Sequence, residues 1–334
     1  MSAAVGGRLP LVRAFVTGAT GFIGSNVARR LRDRGDDVIA LVRSPSKAGP
    51  LKDLACELVE GDLSDDDALQ RGLERADACF HIAAVYEVGV PRSQRARMFE
   101  ANVRGTERLL DAAAAAGVPR TVHVSTINVF GNTRRKVVAE GYRRPIEDGF
   151  LSAYDETKYL AHEAALDRIR RGARLMIVQP GAVYGPGDTS QLGDQIRQAA
   201  SGKLRFIAFA DLGLNLLHVE DAAAGIVLAH DHGEIGETYV LGGEIGTLGG
   251  ALRKAAQLAG RRVPPRLPTW AIRMGIPLGP VVGKLMGVPP NLREIIRLSD
   301  GVTYWAADHK ARERLGYEPR PLERGLRETL KAGP

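Results

Sequence analysis

Cysteine is scarce in this chain of 334 residues, which contains only Cys56 and Cys79. Both cysteines lie in apolar, strand-like stretches, so we expect buried free thiols rather than a disulfide bond, as fits a reducing cytoplasm. No group of cysteines and histidines has the spacing of a zinc site, and we therefore expect no metal.

Long apolar runs are absent as well. The apolar stretches are far shorter than the roughly 20 residues that a membrane-spanning helix needs, so we expect no membrane span. Residues 1–10 lack the apolar core of a signal peptide, and we expect them to form a disordered N-terminus. With 44% hydrophobic and 25% charged residues, the composition is that of a soluble globular protein.

Acidic residues are outnumbered by basic ones, and the net charge of +7 raises the question of nucleic-acid binding. The basic residues are scattered, with small clusters at 29–30, 134–136 and 261–262. Because no basic stripe interleaved with aromatic residues is present, we expect no nucleic-acid partner. A positive field would still attract phosphorylated cofactors and anionic substrates.

A glycine-rich turn is the strongest motif that is present. The sequence Thr-Gly-Ala-Thr-Gly-Phe-Ile-Gly at 17–24 follows a buried strand over 12–17 and opens a helix, which is the beginning of a βαβ unit. Gly18 allows a tight turn, Gly21 lets a pyrophosphate approach the backbone, and Gly24 lets helix and strand pack closely. The phosphates would meet the unpaired N–H groups of a helix N-terminus. The predicted dinucleotide contacts in this turn are Gly18, Thr20, Gly21, Phe22, Ile23 and Gly24.

A second motif brings Tyr154 and Lys158 to one face of a helix, since they are four residues apart. A free tyrosine titrates near pH ~10, and a neighbouring ammonium group lowers that pKa, so we expect a phenol that exchanges a proton near neutral pH. A solvated i,i+4 pair is the alternative. Combined with a cofactor that carries hydride, this proton predicts an alcohol/ketone oxidoreductase.

Strands and helices alternate up to about residue 185. Strands are predicted over 12–17, 37–42, 56–59, 78–83, 120–125 and 175–180, and helices near 22–34, 65–73, 93–117 and 152–171. This alternation predicts an α/β fold, a doubly wound parallel sheet of the Rossmann type with its ligand crevice beyond the carboxyl ends of the strands. We expect 11–186 to be the cofactor-binding domain, with 218–240 returning to it. Residues 187–217 and 241–334 would form a smaller, discontinuous substrate-binding lobe, whose last predicted helix covers about 308–315.

These residues resemble the extended short-chain dehydrogenase/reductase superfamily, the NAD-dependent epimerase/dehydratase family, over about 12–330. The chain is similar above all to dihydroflavonol-4-reductase-like proteins and the hopanoid-associated sugar epimerase group. The motifs that carry the resemblance are the turn at 17–24, Gly61-Asp62-Leu63, His81-Ile82-Ala83-Ala84, Asn102-Val103-Arg104-Gly105-Thr106, Ser125-Thr126, Tyr154 with Lys158, the stretch 180–186, and 212–221.

The resemblance implies roles for individual residues. Tyr154 would exchange the proton, Lys158 would hold the nicotinamide ribose, and Thr126 rather than Ser125 would polarise the substrate oxygen. The other implied cofactor contacts are Asp62, Leu63, Ala83, Ala84, Pro180 and Val183. Four of these motif residues also have a purely structural interpretation. Thr126 could be an ordinary threonine at the end of a strand, and Asp62 could be a helix N-cap. His81 could be a packed strand residue, and Asn102 could only tie the helix backbone to a neighbouring strand.

The end of the second strand bears on the choice of cofactor. NAD-preferring relatives place an acidic residue there, where this chain has Val42 followed by Arg43. An arginine can bind a 2′-phosphate through charge-assisted hydrogen bonds, and Ser44 and Lys47 could add to it. A solvated loop arginine is the alternative. We therefore expect NADP (as NADPH) to be preferred, with NAD possible.

Three reactions share this scaffold. Sugar dehydratases resemble one another in an Asp-Glu pair after the catalytic threonine, where this chain has Ile127-Asn128, which argues against dehydration. Nucleotide-sugar epimerases have a diphosphate-binding arginine where Leu214 stands beside Asn215, although Arg297 lies where such enzymes often have a second arginine. Reduction of a ketone or aldehyde is thus the leading hypothesis. A nucleotide-sugar epimerase is the alternative, and a non-catalytic dinucleotide-binding subunit is a lesser one.

The substrate lobe suggests an apolar cover, and thus a small, lipophilic or aromatic carbonyl compound. Its candidate substrate contacts are Tyr86, Phe206, Leu214 and Asn215. Its other apolar residues are Phe209, Leu212, Leu216, Trp270, Met274 and Met286. Relatives pair through the helices that here span 93–117 and 152–171, so we expect a homodimer, although the alanines of these helices could instead pack on the sheet.

Overall fold

The computed structural model describes residues 10–86, 92–274 and 292–332. All but the last residue of the predicted disordered N-terminus lies outside them, as does Met286, and the side chain of Met274 is also not described. Among the helices of these ranges, none combines the length and the apolar character that crossing a membrane would require.

The strands and α-helices alternate over most of the described chain. The strands are β1 (Arg13–Thr17), β2 (Asp37–Val42), β3 (Glu57–Glu60), β4 (Ala78–His81), β5 (Arg120–Val124), β6 (Leu175–Pro180), β7 (Ala182–Tyr184), β8 (Ile207–Ala208), β9 (Gly213–His218), β10 (Thr238–Leu241), β11 (Glu244–Thr247) and β12 (Arg266–Leu267). The α-helices are α1 (Phe22–Arg34), α2 (Gly49–Asp53), α3 (Asp66–Leu73), α4 (Arg92–Phe99), α5 (Gly105–Ala115), α6 (Ala153–Arg170), α7 (Gln191–Ser201), α8 (Val219–His232), α9 (Leu248–Leu258), α10 (Thr269–Met274), α11 (Leu292–Ser299), α12 (His309–Leu315) and α13 (Leu322–Lys331).

Seven parallel strands form the central sheet in the order β10-β6-β5-β4-β1-β2-β3. One face packs on α1 and α8 through residues such as Val27, Leu31 and Ile226, and the other packs on α3 and α5 through Leu69 and Leu109. Burial on both faces explains why the strands are almost continuously apolar. The strand order reverses between β1 and β4, the place where such a sheet opens a ligand crevice. The predicted Rossmann-type fold class is confirmed.

A second core lies between a three-stranded sheet, ordered β11-β9-β7, and the helices α7, α9 and α13. Ile196, Leu216 and Leu252 are fully or almost fully buried in it. Helix α8, which follows β9 directly, packs instead on the central sheet.

Two of the helix predictions do not hold in the structure. Helix α13 follows the helix that was expected to be the last, and its Leu322 and Leu326 are buried in the second core. The helix expected over 93–117 is interrupted by a π-helical turn, Glu100–Arg104. In this turn Asn102 exchanges hydrogen bonds with the backbone of Val85 and donates one to Thr157 Oγ1 (3.1 Å), so it ties the loop after β4 to α6.

Candidate active site

A cleft of about 1080 Å³ opens at the carboxyl ends of the central strands, between the sheet and the second core. Most of the predicted site residues line it, although they come from distant parts of the chain. These are Gly18, Thr20, Gly21, Phe22, Ile23, Gly24, Arg43, Asp62, Leu63, Ala83, Ala84, Tyr86, Thr126, Tyr154, Lys158, Pro180, Val183 and Leu214.

The glycine turn has the geometry of a phosphate cradle. Gly18 adopts φ +74°, and a Cβ there would lie 2.7 Å from the Ala83 nitrogen. A Cβ on Gly24 would lie 2.1 Å from the Gly18 oxygen, so larger residues at either position would push the turn off the sheet. Gly21 is the N-cap of α1, no side chain caps this end, and the first turn has no acidic residue. The N–H groups and the positive end of the helix dipole therefore face the cleft and suit an anionic ligand.

Helix α6 carries Tyr154 and Lys158 into the same cleft. Its N-terminus is capped by Ser152, whose hydroxyl accepts from the Asp155 N–H at 3.0 Å. Lys158 is only 4% exposed, and its Nζ donates to the Val124 carbonyl oxygen at 3.1 Å. Burial lowers the pKa of Lys158 to about 8.

The pKa of Tyr154 departs from its ordinary value in the direction opposite to our expectation. Burial raises this pKa, and the nearby Tyr86 and the Asp155 carboxylate raise it further. The prediction that Lys158 lowers this pKa is therefore wrong for this structure, because burial disfavours the charged phenolate. The hydroxyl of Tyr154 is protonated at neutral pH and can act as a proton donor.

Two hydroxyl groups at the end of β5 face the cleft with different partners. Thr126 Oγ1 accepts a hydrogen bond from the Asn128 N–H at 3.2 Å, which leaves its own hydrogen for another acceptor. Ser125 Oγ is 3.1 Å from His162 Nδ1 and is engaged in that bond. Thr126 is thus the better placed of the two to donate to a substrate oxygen.

Tyr86 covers one side of Tyr154. The two rings meet edge to face, with their centroids 4.8 Å apart, and Tyr86 is 58% exposed at the mouth of the cleft. An aromatic side chain in this position excludes water from the Tyr154 ring and offers an apolar surface to a ligand.

A buried ion pair beside Tyr154 was missed by the sequence reasoning. Arg144 and Asp155 have side chains only 3% and 2% exposed, and they form two hydrogen bonds of 2.7 and 3.1 Å. The guanidinium also donates to the Gly149 oxygen at 2.8 Å and lies over the Phe150 ring. The sequence shows Asp155 directly after Tyr154, but it does not identify Arg144 as the partner, because Arg144 lies in an irregular loop without a periodic pattern.

The rim where an adenosine would lie contains Arg43 and Asp62. The hydroxyl and the N–H of Ser64 donate to Asp62 Oδ1 at 2.6 and 2.8 Å, and these bonds, with the charges of Arg43 and Arg108, lower the pKa of Asp62. Asp62 therefore closes a turn as a carboxylate. The N-cap of α3 is Asp65, not Asp62, so the alternative of a helix cap at Asp62 is wrong.

Three predicted residues do not contribute to the lining of the cleft. Asn215 is fully buried, and its amide group exchanges bonds of 2.7 and 3.0 Å with the Ala306 backbone, so its expected substrate contact is wrong. Phe206 is 39% exposed on the outer surface, and Lys47 is exposed at a turn beyond β2. Arg297, weighed as a phosphate ligand, donates instead to the Phe150 oxygen at 2.6 Å.

The apolar cover of the cleft is only partly the expected one. Phe209 and Leu212 line the cleft next to Leu214, whereas Leu216 is buried in the second core. Trp270 is 66% exposed on the outside of the lobe. The free, buried state of both cysteines agrees with the expectation.

His81 is a packed strand residue, as the structural alternative for it predicted. Its Nδ1 lies 2.8 Å from Thr17 Oγ1 and its Nε2 lies 2.9 Å from Thr106 Oγ1, so both ring nitrogens are engaged inside the fold.

Two curated relatives are similar to this chain over most of its length. A Synechocystis protein named for dihydroflavonol 4-reductase is 36% identical over 271 residues, which cover 77% of this chain and 75% of that protein. A Stigmatella aurantiaca protein named 4-hydroxy-2-methyl-3-oxo-4-farnesyl-3,4-dihydroquinoline-1-oxide ketoreductase is 30% identical over 329 residues, 97% of each chain.

Solved structures share the fold. The crystal structure of gox2253 has 34% identity and a TM-score of 0.81, covering 96% of this chain and 97% of that one. The structure of MoeE5 in complex with UDP-glucose and NAD has 25% identity and a TM-score of 0.74, with the same shares covered.

The family model of the NAD dependent epimerase/dehydratase family matches residues 14–242, which include the glycine turn, Tyr154 and Lys158. This match extends over more than half of the chain and agrees with the reductase relatives. The chain belongs to the NAD-dependent epimerase/dehydratase family and is an oxidoreductase of the extended short-chain dehydrogenase/reductase type.

Proposed function

We propose that the protein reduces a lipophilic or aromatic ketone or aldehyde to an alcohol with NADPH, and that Tyr154 donates the proton. The observation that carries this proposal is the position of Tyr154 in the cleft, one helical turn from the buried ammonium group of Lys158.

The residues of the cleft fit a nicotinamide dinucleotide. Gly18 and Gly24 let the turn pack closely on the sheet, and the N-terminus of α1, which no side chain caps, would bind the diphosphate. Arg43, which follows the apolar end of β2, would bind a 2′-phosphate, and Lys158 would bind the nicotinamide ribose. When bound, the cofactor supplies the hydride.

The chain's own groups then handle the proton. The Thr126 hydroxyl donates a hydrogen bond that holds the substrate oxygen, and the Tyr154 O–H transfers its proton to that oxygen as negative charge develops on it. The tyrosinate left behind lies near the Lys158 ammonium, whose charge stabilises it. With a pKa of about 8, Lys158 still carries that charge at neutral pH.

The inner surface of the lobe supports a substrate without charge. Among the described residues, the lobe contributes apolar side chains such as Phe209, Leu212 and Leu214 to the cleft, together with polar ones that include Asp188 and Gln195, but neither lysine nor arginine. An apolar wall with a few polar groups suits a lipophilic or aromatic compound. The relatives named for dihydroflavonol 4-reductase and for a farnesylated quinoline ketoreductase are in keeping with this choice.

We also infer which segments of the chain bind the cofactor and which cover the substrate. Residues 11–186, joined by 218–240, would bind the cofactor, and 187–217 with 241–334 would cover the substrate. Helix α8 follows a strand of the lobe but packs on the central sheet, which supports the assignment of 218–240 to the cofactor-binding unit.

A nucleotide-sugar epimerase is the second candidate, because the similar MoeE5 was solved with UDP-glucose and NAD. It ranks lower for two reasons. Leu214 cannot bind a diphosphate as an arginine would, and Arg297 is already bonded to the Phe150 oxygen. A non-catalytic dinucleotide-binding subunit ranks last, because such a protein does not require Tyr154 and Lys158 to lie in one cleft.

A substrate panel distinguishes these functions. Aldehydes, aromatic and long-chain ketones, and nucleotide sugars are incubated with NADPH or NADH while the nicotinamide absorbance is followed. We expect loss of NADPH absorbance with a lipophilic carbonyl compound. Interconversion of sugars without net oxidation would favour the epimerase.

Calorimetry provides an independent check of the ranking. UDP, GDP and dTDP are titrated into the enzyme saturated with NADP, and we expect weak binding because the lobe offers them no cation. Micromolar affinity for any of the three would promote the epimerase to first place.

A further inference from the structure

The outer end of the lobe carries a cluster that we name the basic-aromatic patch. It consists of Lys203, Arg205, Phe206, Arg261, Arg262, Arg266 and Trp270. The two aromatic side chains are 39% and 66% exposed, although residues of this kind are usually buried. All five basic residues of the patch are exposed as well.

The patch is assembled by the fold from two segments that are about sixty residues apart. Strands β8 and β12 pair in parallel, and the Ile207 N–H donates to the Pro265 oxygen at 2.9 Å, so Phe206 lies beside the chain that leads to Trp270. The stem of Arg261 lies against Gly202 at the end of α7, with Cδ 3.6 Å from where a Cβ would be. Arginines of the second segment therefore share a surface with Lys203 and Arg205.

The charge of the patch is strongly positive. Asp211 pairs with Arg266 at 3.1 Å and, within 10–86, 92–274 and 292–332, is the carboxylate that forms an ion pair with one of the five cations of the patch. These six described residues together carry a charge of +4. An exposed pair of this kind is weak, since its partners are 54% and 71% exposed and screened by water.

The patch is also connected to the cleft. Strand β8 leads from Phe206 on the outer surface to Phe209, which lines the cleft, within three residues. A surface that the patch contacts would therefore lie next to the apolar side of the substrate site.

We propose that the basic-aromatic patch docks the protein on an anionic membrane surface. Exposed Trp and Phe side chains insert at the level of the lipid headgroups, and lysines and arginines around them attract anionic lipids. The five cations and one carboxylate of the described residues complement such a surface. The docking does not depend on which carbonyl compound the enzyme reduces.

Sedimentation with lipid vesicles tests this proposal in the full-length protein. We expect binding to vesicles of phosphatidylcholine with phosphatidylglycerol, weak binding to phosphatidylcholine alone, and loss of binding as salt is raised. The variant Arg261→Gln/Arg262→Gln should bind about fivefold more weakly for each arginine removed. The control Arg170→Gln/Arg171→Gln removes the same charge from the exposed end of α6 and should bind like the wild type.

Tryptophan fluorescence locates the contact. The chain has two tryptophans, and Trp305 is partly buried with its indole bonded to the Gly246 oxygen. Vesicles should shift the emission to shorter wavelength in the wild type but not in Trp270→Phe, which retains an aromatic side chain. Circular dichroism of each variant checks that it is folded.

Several results would overturn the proposal. These are no binding to anionic vesicles at low salt, equal loss of binding in the patch and control variants, or an emission shift that persists in Trp270→Phe. Binding of a labelled single-stranded oligonucleotide that the patch variant loses, without binding to vesicles, would assign the patch to nucleic acid instead.

Discussion

Tyr154 lies between groups that act on its proton in opposite directions. The Lys158 ammonium attracts a tyrosinate, whereas burial and the neighbouring Asp155 carboxylate favour the neutral phenol and prevail in raising the pKa. For a reduction this is the useful state, because the enzyme must begin the reaction with the proton in place. The charge of Lys158 then takes effect after the proton has left.

Removing only the Tyr154 hydroxyl should separate binding from turnover. We expect Tyr154→Phe to lower kcat by roughly 10²–10⁴-fold, the usual contribution of a general acid, while NADPH binding followed by fluorescence stays unchanged. Tyr142→Phe is a matched control, since Tyr142 packs on Phe130 away from the cleft lining. A kcat near that of the wild type would contradict the proposed mechanism.

Arg43 tests the choice of cofactor. We expect Arg43→Ala to weaken NADPH by tenfold to a hundredfold, since a hydrogen bond to a charged group contributes roughly 1.5–3 kcal/mol, and to leave NADH almost unaffected. Lys47→Ala should change neither affinity, because Lys47 is not among the residues that line the cleft. Equal losses for the two cofactors would show that Arg43 does not read the 2′-phosphate.

At the scale of elements, the first turn of α6 is held from both sides. Ser152 caps its N–H groups, while the Asp155 carboxylate accepts from the Leu151 N–H at 2.8 Å and pairs with Arg144. Arg144 in turn packs against Gly131, where a Cβ would lie 2.9 Å from the guanidinium carbon. This network anchors the turn that presents Tyr154 to the loop after β5 that presents Thr126.

Breaking this network should cost stability in proportion to its burial. We expect Arg144→Met to lower the free energy of unfolding by roughly 3–5 kcal/mol, because it leaves the buried Asp155 carboxylate without its partner. Arg134→Met breaks a bidentate pair with Asp148 whose side chains are 65% and 40% exposed, and should lose at most about 1 kcal/mol. Urea denaturation measures both, and similar losses would refute the distinction.

At the scale of the molecule, three buried histidines lie beneath the cleft. The rings of His81 and His123 stack at 5.1 Å across adjacent strands, and His162 faces them from α6. Burial lowers the pKa of His81 to about 3 and that of His162 to about 4, and holds the pKa of His123 well below its usual value. The folded protein therefore keeps all three rings neutral.

These histidines should make the fold sensitive to acid. As the pH falls below about 6.5, the unfolded chain takes up protons that the folded chain refuses, so each histidine removes up to about 1.4 kcal/mol of stability per pH unit. We expect His162→Gln to flatten the fall in unfolding free energy between pH 6.5 and 4, measured by urea denaturation. His232→Gln, which changes an exposed histidine, should leave the slope unchanged.

The association of whole molecules is a separate prediction. We expect a homodimer through α5 and α6, and light scattering at micromolar concentration should give twice the mass of the 35.9 kDa chain. Ala113, Ala161 and Ala165 are buried inside the subunit, which leaves Ala114, Ala115 and Ala164 for such an interface. A monomer would remove this prediction.

The sequence by itself determined the features that depend on local spacing. The interval between Gly18, Gly21 and Gly24 and the position of Tyr154 relative to Lys158 are properties of one turn and one helix, and they identified the fold class and the family. The alternation of apolar strands and helices placed the central sheet for the same reason. Helix α13 was missed because its two buried leucines are a weak pattern until the second core covers them.

The tertiary structure alone decided which side chains are buried and which distant ones meet. It turned Asn215 inward to Ala306 and Phe206 outward, and it paired Arg144 with Asp155. It also gathered scattered arginines into one patch and reversed the expected shift of the Tyr154 pKa. The physical reason is the same in each case. Desolvation and long-range pairing depend on the surroundings that the whole fold provides, which residue spacing does not contain.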